Sequence, residues 1–562
     1  MLKEPIMKKY IVQVTGLLMI LHAQVTHSKI PTLQGHSFFY ARSQSVNAAR
    51  EIAGWLPHIH RYDMIDENYS SFVATGEYQH SLHGNRMADA IFNTDCLHIS
   101  GSTTVNRGIN DILADYFGLS PDFESTVRLE PTIQSAILAF NGFFGFNKWC
   151  RGLYLQFQIP LAWTQWNLGL EEDIFEGGSD VPFPPNYMDR EAVAPGAQSF
   201  VRALAGCTTF GQMQEPLEFG KVCGAQVKKS VSDVQVALGW DFFLSECGFA
   251  GLNIRCAAPA GNRSKSVFLF EPIVGNCHHW ELGAGFAGRG LIWEKDGEQE
   301  LSFFGELNMT HLFSSKQRRS FDLGKDVCRV SNYPSCSSCD SDDNTVRRME
   351  PKHDLFGSRY MLVKEFDEDG NYTGKLAPLI NKTTLDCKVR INLQVEMVFM
   401  FDYTYNGFVL DAGYNGWIRS REIISLGDKC FPECTFALDS LGLKGIQNVT
   451  FDSGTLSNAT QSEATLFGNY LSDQIIVADP NPPVFIKPFD IDIDSPASPL
   501  AITHKLFIYL GWSDYRDCWC ITPFFGFGGE VEFEGVNTRD AIEPNKNTMS
   551  QWGIWVKAGF DY

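Results

Sequence analysis

Two pairs of cysteines have the spacing in this sequence that most resembles a chemical site. Cys336 and Cys339 are separated by two residues in a loop rich in serine and aspartate, and Cys430 and Cys434 lie in another long loop. Four thiolates can hold Zn²⁺, but about ninety residues separate the pairs, and an oxidising compartment favours disulfides instead. The sequence therefore predicts no metal site, and it predicts disulfides among Cys336, Cys339, Cys430, Cys434 and their loop neighbour Cys328.

Other polar clusters do not build a catalytic or cofactor site. Residues 367–371 and the alternating aspartates of 490–494 suggest divalent cations, but such stretches are more often solvated turns. His278–His279 has no clear partner set, and no predicted strand presents His80 as part of a hydrolase site. The chain also contains no Walker loop, nucleotide fingerprint or GxSxG elbow. We therefore expect neither enzyme activity nor a cofactor.

The elements around these residues are predicted strands, and residues 388–401 give the clearest pattern. One face is apolar and comprises Val389, Ile391, Leu393, Val395, Met397, Phe399 and Phe401. The other face is polar and comprises Lys388, Arg390, Asn392, Gln394 and Glu396. Because successive side chains of a strand point to opposite faces, the pattern predicts a strand that separates apolar from charged surroundings.

The same alternation recurs along the chain and is sharpest at its end. It is present at 153–163, 234–244, 301–309, 408–419 and 502–512. The last run, 551–562, ends in the aromatic residues Phe560 and Tyr562. These runs reach 12 to 17 residues, whereas ordinary strands average about five or six and spanning a bilayer takes roughly 9–11 tilted residues. Strand length therefore favours membrane strands.

The connections between these strands alternate between short and long. Short ones lie near 146–149, 246–249, 294–299, 402–406 and 513–516, and the longest ones are polar segments at about 171–231, 313–386 and 421–501. Transmembrane barrels have this asymmetry, with tight periplasmic turns and long external loops. The sequence thus predicts an all-β fold, a transmembrane antiparallel up-and-down barrel.

Eleven strands can be counted directly, and an even number is normal for bacterial barrels. We therefore predict twelve strands, with ten to fourteen as the range, and place the missing first strand near 91–103. The barrel then occupies 91–562. Residues 24–90 do not alternate and are predicted to be an N-terminal leader or plug with a short helix; whether this region is a poorly ordered periplasmic leader or fills the barrel stays open.

If the apolar faces contact lipid, the polar faces line the lumen. The predicted pore-lining residues are Gln156, Gln158, Asp233, Gln235, Asp241, Arg255, Glu281, Arg289, Glu306, Lys388, Arg390, Asn392, Gln394, Glu396, Asp411, Arg419, Lys505 and Lys557. Two interpretations are open: these residues pair and fill the lumen as a polar core, or they form a channel that is selective by charge.

The N-terminus and the overall charge restrict the compartment and the partners. Lys3, Lys8 and Lys9 precede a short apolar stretch that ends near Ala23, which is typical of a secretory signal peptide over residues 1–23 and of export by the Sec route. Among the 562 residues, 46 Lys and Arg oppose 66 Asp and Glu, a formal charge of −20. Such a chain repels nucleic acid, so a nucleic-acid partner is not expected.

The aromatic end of the last strand resembles the C-terminal recognition signal of Gram-negative outer-membrane barrels, which barrel-assembly machinery reads; this implies an assembly signal at Phe560 and Tyr562. Three stretches, Gly35–Phe39, Asn106–Gly118 and Gly152–Tyr154, resemble uncharacterised outer-membrane proteins of the Dependentiae group. Cysteine richness and long loops are also similar to chlamydial major outer-membrane proteins, by analogy only.

Three functions fit the sequence. The first is a porin-like channel for small hydrophilic solutes with a weak cation preference, because long acidic loops enrich cations at its mouth. The second is a surface protein, an adhesin or structural envelope protein, that acts through its loops. The third is a soluble secreted β-rich binding protein. Expected partners are outer-membrane lipid and, since fifteen cysteines leave at least one thiol outside intramolecular pairs, a second copy or disulfide-linked envelope neighbours.

Overall fold

A computed structural model describes most of the chain from His36 onward. It covers residues 36–92, 94–105, 111–179, 195–211, 213–296, 298–323, 359–366, 372–426, 436–437, 491–513, 521–535 and 549–562. The predicted signal peptide and Cys328, Cys336, Cys339, Cys430 and Cys434 lie outside these residues. No helix among the described residues is long and apolar enough to cross a membrane.

Twelve antiparallel strands form a closed barrel. They are β1 (Asn68–Leu82), β2 (Thr132–Phe146), β3 (Leu153–Asn167), β4 (Val234–Ser245), β5 (Gly248–Ala258), β6 (Glu281–Lys295), β7 (Gln299–Ser320), β8 (Thr384–Tyr405), β9 (Phe408–Arg419), β10 (Ala501–Ser513), β11 (Thr522–Glu534) and β12 (Ser550–Asp561). Each pairs with its neighbours in chain order, and β1 pairs with β12 to close the ring. The predicted fold class and strand number are confirmed.

The two ends of the barrel differ. At one end, which we call the short-turn end, brief connections such as 246–247 and 406–407 join consecutive strands, and the barrel begins at Asn68 and ends at Tyr562. Tyr562 and Ser70 exchange two backbone hydrogen bonds there, of 2.7 and 2.8 Å. The opposite end, the long-loop end, carries the extended connections between strand pairs.

Most of the remaining elements belong to those long connections. The helices are α1 (Ala48–Ile52), α2 (Gly84–Phe92), α3 (Phe200–Leu204) and α4 (Leu379–Thr383), with 3₁₀ turns at Leu56–His58 and Ala114–Phe117. Short strands form a four-stranded sheet (Cys96–Ser100, Ile112–Leu113, Glu124–Leu129 and Leu170–Glu176), a three-stranded sheet (Leu362–Phe366, Tyr372–Pro378 and Phe436–Ala437) and a two-stranded pair (Asp322–Leu323 and Ile491–Asp492). Gln226–Val231 pairs with β3, and Glu422–Leu426 pairs with β8.

The wall is amphipathic in the sense opposite to a soluble protein. Large apolar side chains point outward and are exposed, for example Ile254 at 65%, Val556 at 63% and Phe525 at 62%. Inward positions on the same wall are polar and buried, including Lys505 and Asp411. An exposed apolar band around a closed barrel is stable only where hydrocarbon replaces water. The wall is thus built to contact lipid.

The prediction that the first strand lies near 91–103 is wrong. Residues 91–92 end helix α2, and Cys96–Ser100 belongs to the four-stranded sheet outside the barrel. The first barrel strand is β1, at Asn68–Leu82. Its pattern was hidden because its inward face includes the apolar Tyr69 and Val73, which are buried against other apolar groups inside the barrel.

The prediction that Lys388, Arg390 and Asn392 line the lumen is also wrong. These three side chains are exposed on the outside, whereas Val389 and Ile391 are buried inward. The register against β7 shifts between Thr310 and Leu312, where two residues of β8 oppose one, and shifts again before Ser315. A β-bulge of this kind reverses which residues face inward, so the strict alternation of the sequence does not hold in the long-loop half of β8.

A charge on the outward face tests the assignment of that face to lipid. Replacement of Ile254 with Arg, in the middle of β5, is expected to lower the free energy of unfolding in lipid vesicles by about 2–4 kcal/mol, because the guanidinium enters hydrocarbon. The control is Ile174→Arg, because Ile174 is 45% exposed on a strand outside the barrel and lies opposite Ser125; it is expected to change the free energy of unfolding by less than about 0.5 kcal/mol. Denaturant titration of both variants measures this; equal effects would contradict a lipid-facing wall.

Candidate functional site in the barrel lumen

The barrel lumen contains a segment of its own chain. Residues 36–62, which we call the plug, run through the ring from the long-loop end to the short-turn end. Ser37 donates to the backbone oxygen of Ser320 at the long-loop end, where β7 ends. Asn147, in the first short turn, donates to the backbone oxygen of Met64 just beyond the plug (2.9 Å). Between these ends the plug passes the whole length of the strands, so it fills the lumen rather than lying beneath it.

A short helix at the centre of the plug is fixed at both ends. Asn47 caps the N-terminus of α1 by accepting from the backbone N–H of Arg50 (3.2 Å). At the other end, the ammonium of Lys557 on β12 donates to the carbonyls of Arg50 (2.8 Å), Glu51 (3.1 Å) and Ala53. The last carbonyls of a helix carry partial negative charge and lack helical partners, so the wall itself completes the plug helix.

Two guanidinium groups of the plug contact carboxylates of the wall. Arg42 pairs with Glu396 on β8 and with Glu532 on β11, the latter at 2.9 Å. Arg50 pairs with Glu77 on β1. All five side chains are at most 7% exposed. Removal of one partner from such a buried pair leaves an uncompensated charge and costs about 3–5 kcal/mol, so these pairs hold the plug in one position.

Two histidines extend the same pattern toward the short-turn end. The Nδ1 atoms of His58 and His60 lie 2.6 Å from carboxylate oxygens of Asp561 and Asp241. The imidazole of His58 also stacks on Phe524 at 3.9 Å between ring centroids. Apolar plug residues, Trp55 among them, are buried in the same region. The half of the plug nearest the short-turn end thus combines apolar packing with contacts to acidic groups.

Other carboxylates of the wall also accept hydrogen bonds from the plug. Glu530 accepts from Asn47 of the plug (3.1 Å) and from Lys505 (2.6 Å), and Lys505 also lies 3.8 Å from Glu532. Asp411 accepts from the backbone N–H of Gly54 (2.5 Å). Since each of these groups is nearly inaccessible to solvent, they act on the plug in a low dielectric, where charge interactions are strong.

The other residues predicted to line a pore lie on the inner side of the wall or next to it at the long-loop end. Gln156 donates to Glu51 (2.6 Å), Gln235 donates to the backbone oxygen of Ser45 (3.0 Å), and Asp233 accepts from Ser43 (2.8 Å). The remaining inward-facing members are Gln158, Arg255, Glu281, Arg289, Glu306, Gln394 and Arg419. The structure therefore brings these predicted residues around the plug rather than around an open pore.

Several lumen residues were not identified from the sequence. Glu77, Asp402, Glu530, Glu532 and Asp561 all face inward and are buried. Glu530 and Glu532 are two residues apart in β11, so their alternation with Val531 and Phe533 was a usable signal. The plug residues themselves had no periodic signal, because the plug is not a strand and its contacts are spread over several strands of the wall.

The predicted assembly signal and the cysteines are partly described. Phe560 points outward, is 42% exposed and lies 5.6 Å from the Phe72 ring across the β1–β12 seam; Tyr562 is 72% exposed. Cys150 and Cys247 are exposed near the short turns, and no disulfide joins them. Cys277 is buried at the long-loop end, where burial raises the pKa of its thiol to about 12, so it stays protonated and unreactive.

The fit of the plug against the wall depends on one glycine. Gly54 has φ +69°, and a Cβ built there would lie 2.1 Å from the Tyr509 ring. We expect Gly54→Ala to lower the midpoint of heat-induced unfolding, since backbone strain of about 1 kcal/mol is added to a steric clash. The matched control is Gly224→Ala, because Gly224 has φ +59° and open space around it. Heat-modifiable gel migration compares the two; equal shifts would show that the contact with Tyr509 has no effect.

No protein family and no curated protein matches this chain. Among solved structures it is similar to an outer membrane channel from Pseudomonas putida F1 (TM-score 0.31, 9% identity, 88% of this chain and 96% of that chain). It is also similar to a Pseudomonas aeruginosa FadL homologue (TM-score 0.27, 7%, 93% and 99%) and to the Pseudomonas putida toluene transporter TodX (TM-score 0.28, 6%, 95% and 99%). Similarities this low carry no argument about function, which rests on the geometry above.

Proposed function

We propose that this chain is an outer-membrane channel for small hydrophilic solutes, closed by its own plug and opened when the plug shifts. The observation that carries the proposal is the set of buried contacts between plug and wall. Arg42 and Arg50 of the plug contact three wall carboxylates. A lumen that served only as a solid core would be at least as stable with apolar residues in place of these pairs. Charged groups instead leave a hydrophilic path once the plug moves.

The charge of the inner wall supports a weak preference for cations. Acidic groups outnumber basic ones on the described inner face of the barrel strands: the acids are Glu77, Asp241, Glu281, Glu306, Glu396, Asp402, Asp411, Glu530, Glu532 and Asp561, and the bases are Arg255, Arg289, Arg319, Arg419, Lys505 and Lys557. The plug supplies cationic partners to several of these acids. When the plug shifts, those carboxylates face the lumen without them, and rings of carboxylates favour cations.

The location of the protein follows from the same wall. Its exposed apolar band fits the hydrocarbon of a Gram-negative outer membrane, with lipid as its constant partner. Phe560 and Tyr562 lie at the short-turn end of β12, and in this proposal the barrel-assembly machinery recognises them after export by the Sec route. The protein has no enzyme activity in this proposal.

A second function is favoured by the folded layer at the long-loop end. Phe117, Phe200, Tyr360 and Leu379 from separate loops are buried in one apolar cluster there. Loops that share a core present a defined surface, which suits binding of an external partner more than a simple pore mouth does. In this alternative the plugged barrel is an anchor for a surface protein.

Conductance across planar bilayers separates the two functions. We expect the double variant Arg42→Gln and Arg50→Gln to open at least ten times more often than the unmodified protein, because it removes the ion pairs that join the plug to Glu77, Glu396 and Glu532 of the wall. In a gradient of KCl, the reversal potential should show K⁺ preferred over Cl⁻.

The matched control is Arg86→Gln. Arg86 lies on helix α2, outside the lumen, and its guanidinium is 3.1 Å from the carboxylate of Glu534 at the end of β11, so the substitution removes an ion pair that does not involve the plug. It should open as rarely as the unmodified protein. Each variant must show the same heat-modifiable migration, so that only folded barrels are compared. Absence of any opening from a folded double variant would contradict the channel and leave the surface protein as the better function.

A further inference from the structure

The outward face of β7 and β8 changes from apolar to cationic toward the long-loop end. Nearer the short-turn end both strands expose apolar side chains to the outside, among them Phe303 on β7 and Phe401 on β8. This apolar run ends at Phe313 and Leu393, which are 45% and 37% exposed. Both strands continue beyond it, and four cationic side chains are exposed there: Lys316 and Arg318 on β7, and Lys388 and Arg390 on β8. We call these four residues the basic patch.

Three of the four cations have no hydrogen-bond or ion-pair partner among the described residues. Lys316 and Lys388 lie directly opposite each other in the antiparallel register, and like charges in that position repel each other. Arg390 is two residues from Lys388 on the same face of β8. The next strand places Ser425 opposite Lys388 and Ile423 opposite Arg390, and neither is charged. The described strands therefore leave these three charges without compensation.

The acidic side chains nearest the basic patch act on its fourth member. Arg318 lies 2.9 Å from a carboxylate oxygen of Asp386, and the charge of Glu218 also acts on its guanidinium. On the other side of β7, Ser264 accepts a hydrogen bond from the backbone N–H of Arg318 (3.2 Å), and the next residue, Lys265, adds another exposed cation. The surroundings of the basic patch thus do not neutralise its other three members.

A phosphate monoester is the anion that matches three neighbouring cations of this kind. It carries close to two negative charges and three strong acceptor oxygens. A lysine ammonium binds phosphate as a compact point charge, and an arginine guanidinium binds two phosphate oxygens at once. One phosphate placed between Lys316 and Lys388 would offset their repulsion. A zwitterionic headgroup fits less well, because it brings an ammonium of its own close to these lysines.

The position of the basic patch favours a lipid over a soluble anion. The basic patch follows the lipid-facing apolar run on the same two strands, so it lies where the headgroups of a bilayer meet the protein. A lipid bound there places its acyl chains against Phe313 and Leu393 and its headgroup at the basic patch. Because long loops of such barrels are external, this headgroup belongs to the outer leaflet.

We propose that the basic patch binds the phosphate of a phosphorylated glycolipid in the outer leaflet of the membrane. Lys316 and Lys388 hold the phosphate between them, and Arg390 donates to it from the next outward position of β8. The inference goes beyond the proposed channel. It rests on the location in an outer membrane and does not require that the lumen conducts.

Native mass spectrometry of the full chain in micelles of an uncharged detergent tests the proposal. The probes are diphosphorylated lipid A and the same lipid without its phosphates, which have identical acyl chains. The unmodified protein is expected to bind the phosphorylated lipid at least tenfold more tightly. The double variant Lys316→Gln and Lys388→Gln should lose at least tenfold of that affinity, and it should bind the dephosphorylated lipid as before because its apolar contacts are unchanged.

The matched control is the double variant Lys148→Gln and Lys295→Gln, which removes the same charge from two exposed lysines at the short-turn end. It should bind the phosphorylated lipid as the unmodified protein does, and both double variants must show the heat-modifiable migration of a folded barrel. Equal affinity for the two lipids, or an equal loss in the control, would overturn the site. Displacement of the lipid by an equal concentration of inorganic phosphate would also overturn it, since the basic patch would then bind a soluble anion.

Discussion

Closure of the ring between β1 and β12 is the constraint on which the rest of the structure depends. In hydrocarbon every backbone N–H and C=O must find a partner within the protein, and an open sheet would leave two edges unpaired. The seam satisfies both edges over its full length, from Ser71 opposite Asp561 to Leu82 opposite Ser550. Once the ring is closed, its diameter is set by the twelve strands, and the space inside has to be filled by side chains, water or another part of the chain.

In this protein the enclosed space is filled by residues 36–62, and the interior is polar because the outside is apolar. Each strand turns its apolar side to lipid, which leaves charged and amide groups facing inward. These groups need partners in a low dielectric, and the plug supplies them through Arg42, Arg50, His58 and His60. The match is not complete: among the described residues, buried polar atoms of Gln158, Asn308 and Thr310 on β3 and β7, and of Trp555 and Asp561 on β12, lack hydrogen-bond partners.

The sequence was sufficient to predict the barrel, because lipid on one face and polar groups on the other impose strict alternation. It failed where the surroundings of a strand change. In β8 the bulge opposite Thr310–Leu312 turns Lys388 and Arg390 outward, and bulges leave no periodic trace in one sequence. In β1, Tyr69 and Val73 face an apolar part of the plug, so the inward face of the strand mixes apolar residues with polar ones such as Glu77 and shows no clear alternation. The plug contacts themselves are long-range and could not be predicted from local spacing.

The passage of residues 36–62 through the ring has a consequence for the order of assembly. The plug enters the barrel at the long-loop end and leaves it at the short-turn end, and only then does the first strand begin. The barrel therefore encircles a segment of its own chain. If the plug were threaded into a barrel that had already closed, Arg42 and Arg50 would have to pass along the charged lumen. If the wall instead curls around a leader already in position, each guanidinium meets its carboxylate as the cylinder forms. The joining of the first and last strands is then the final step that makes the topology permanent.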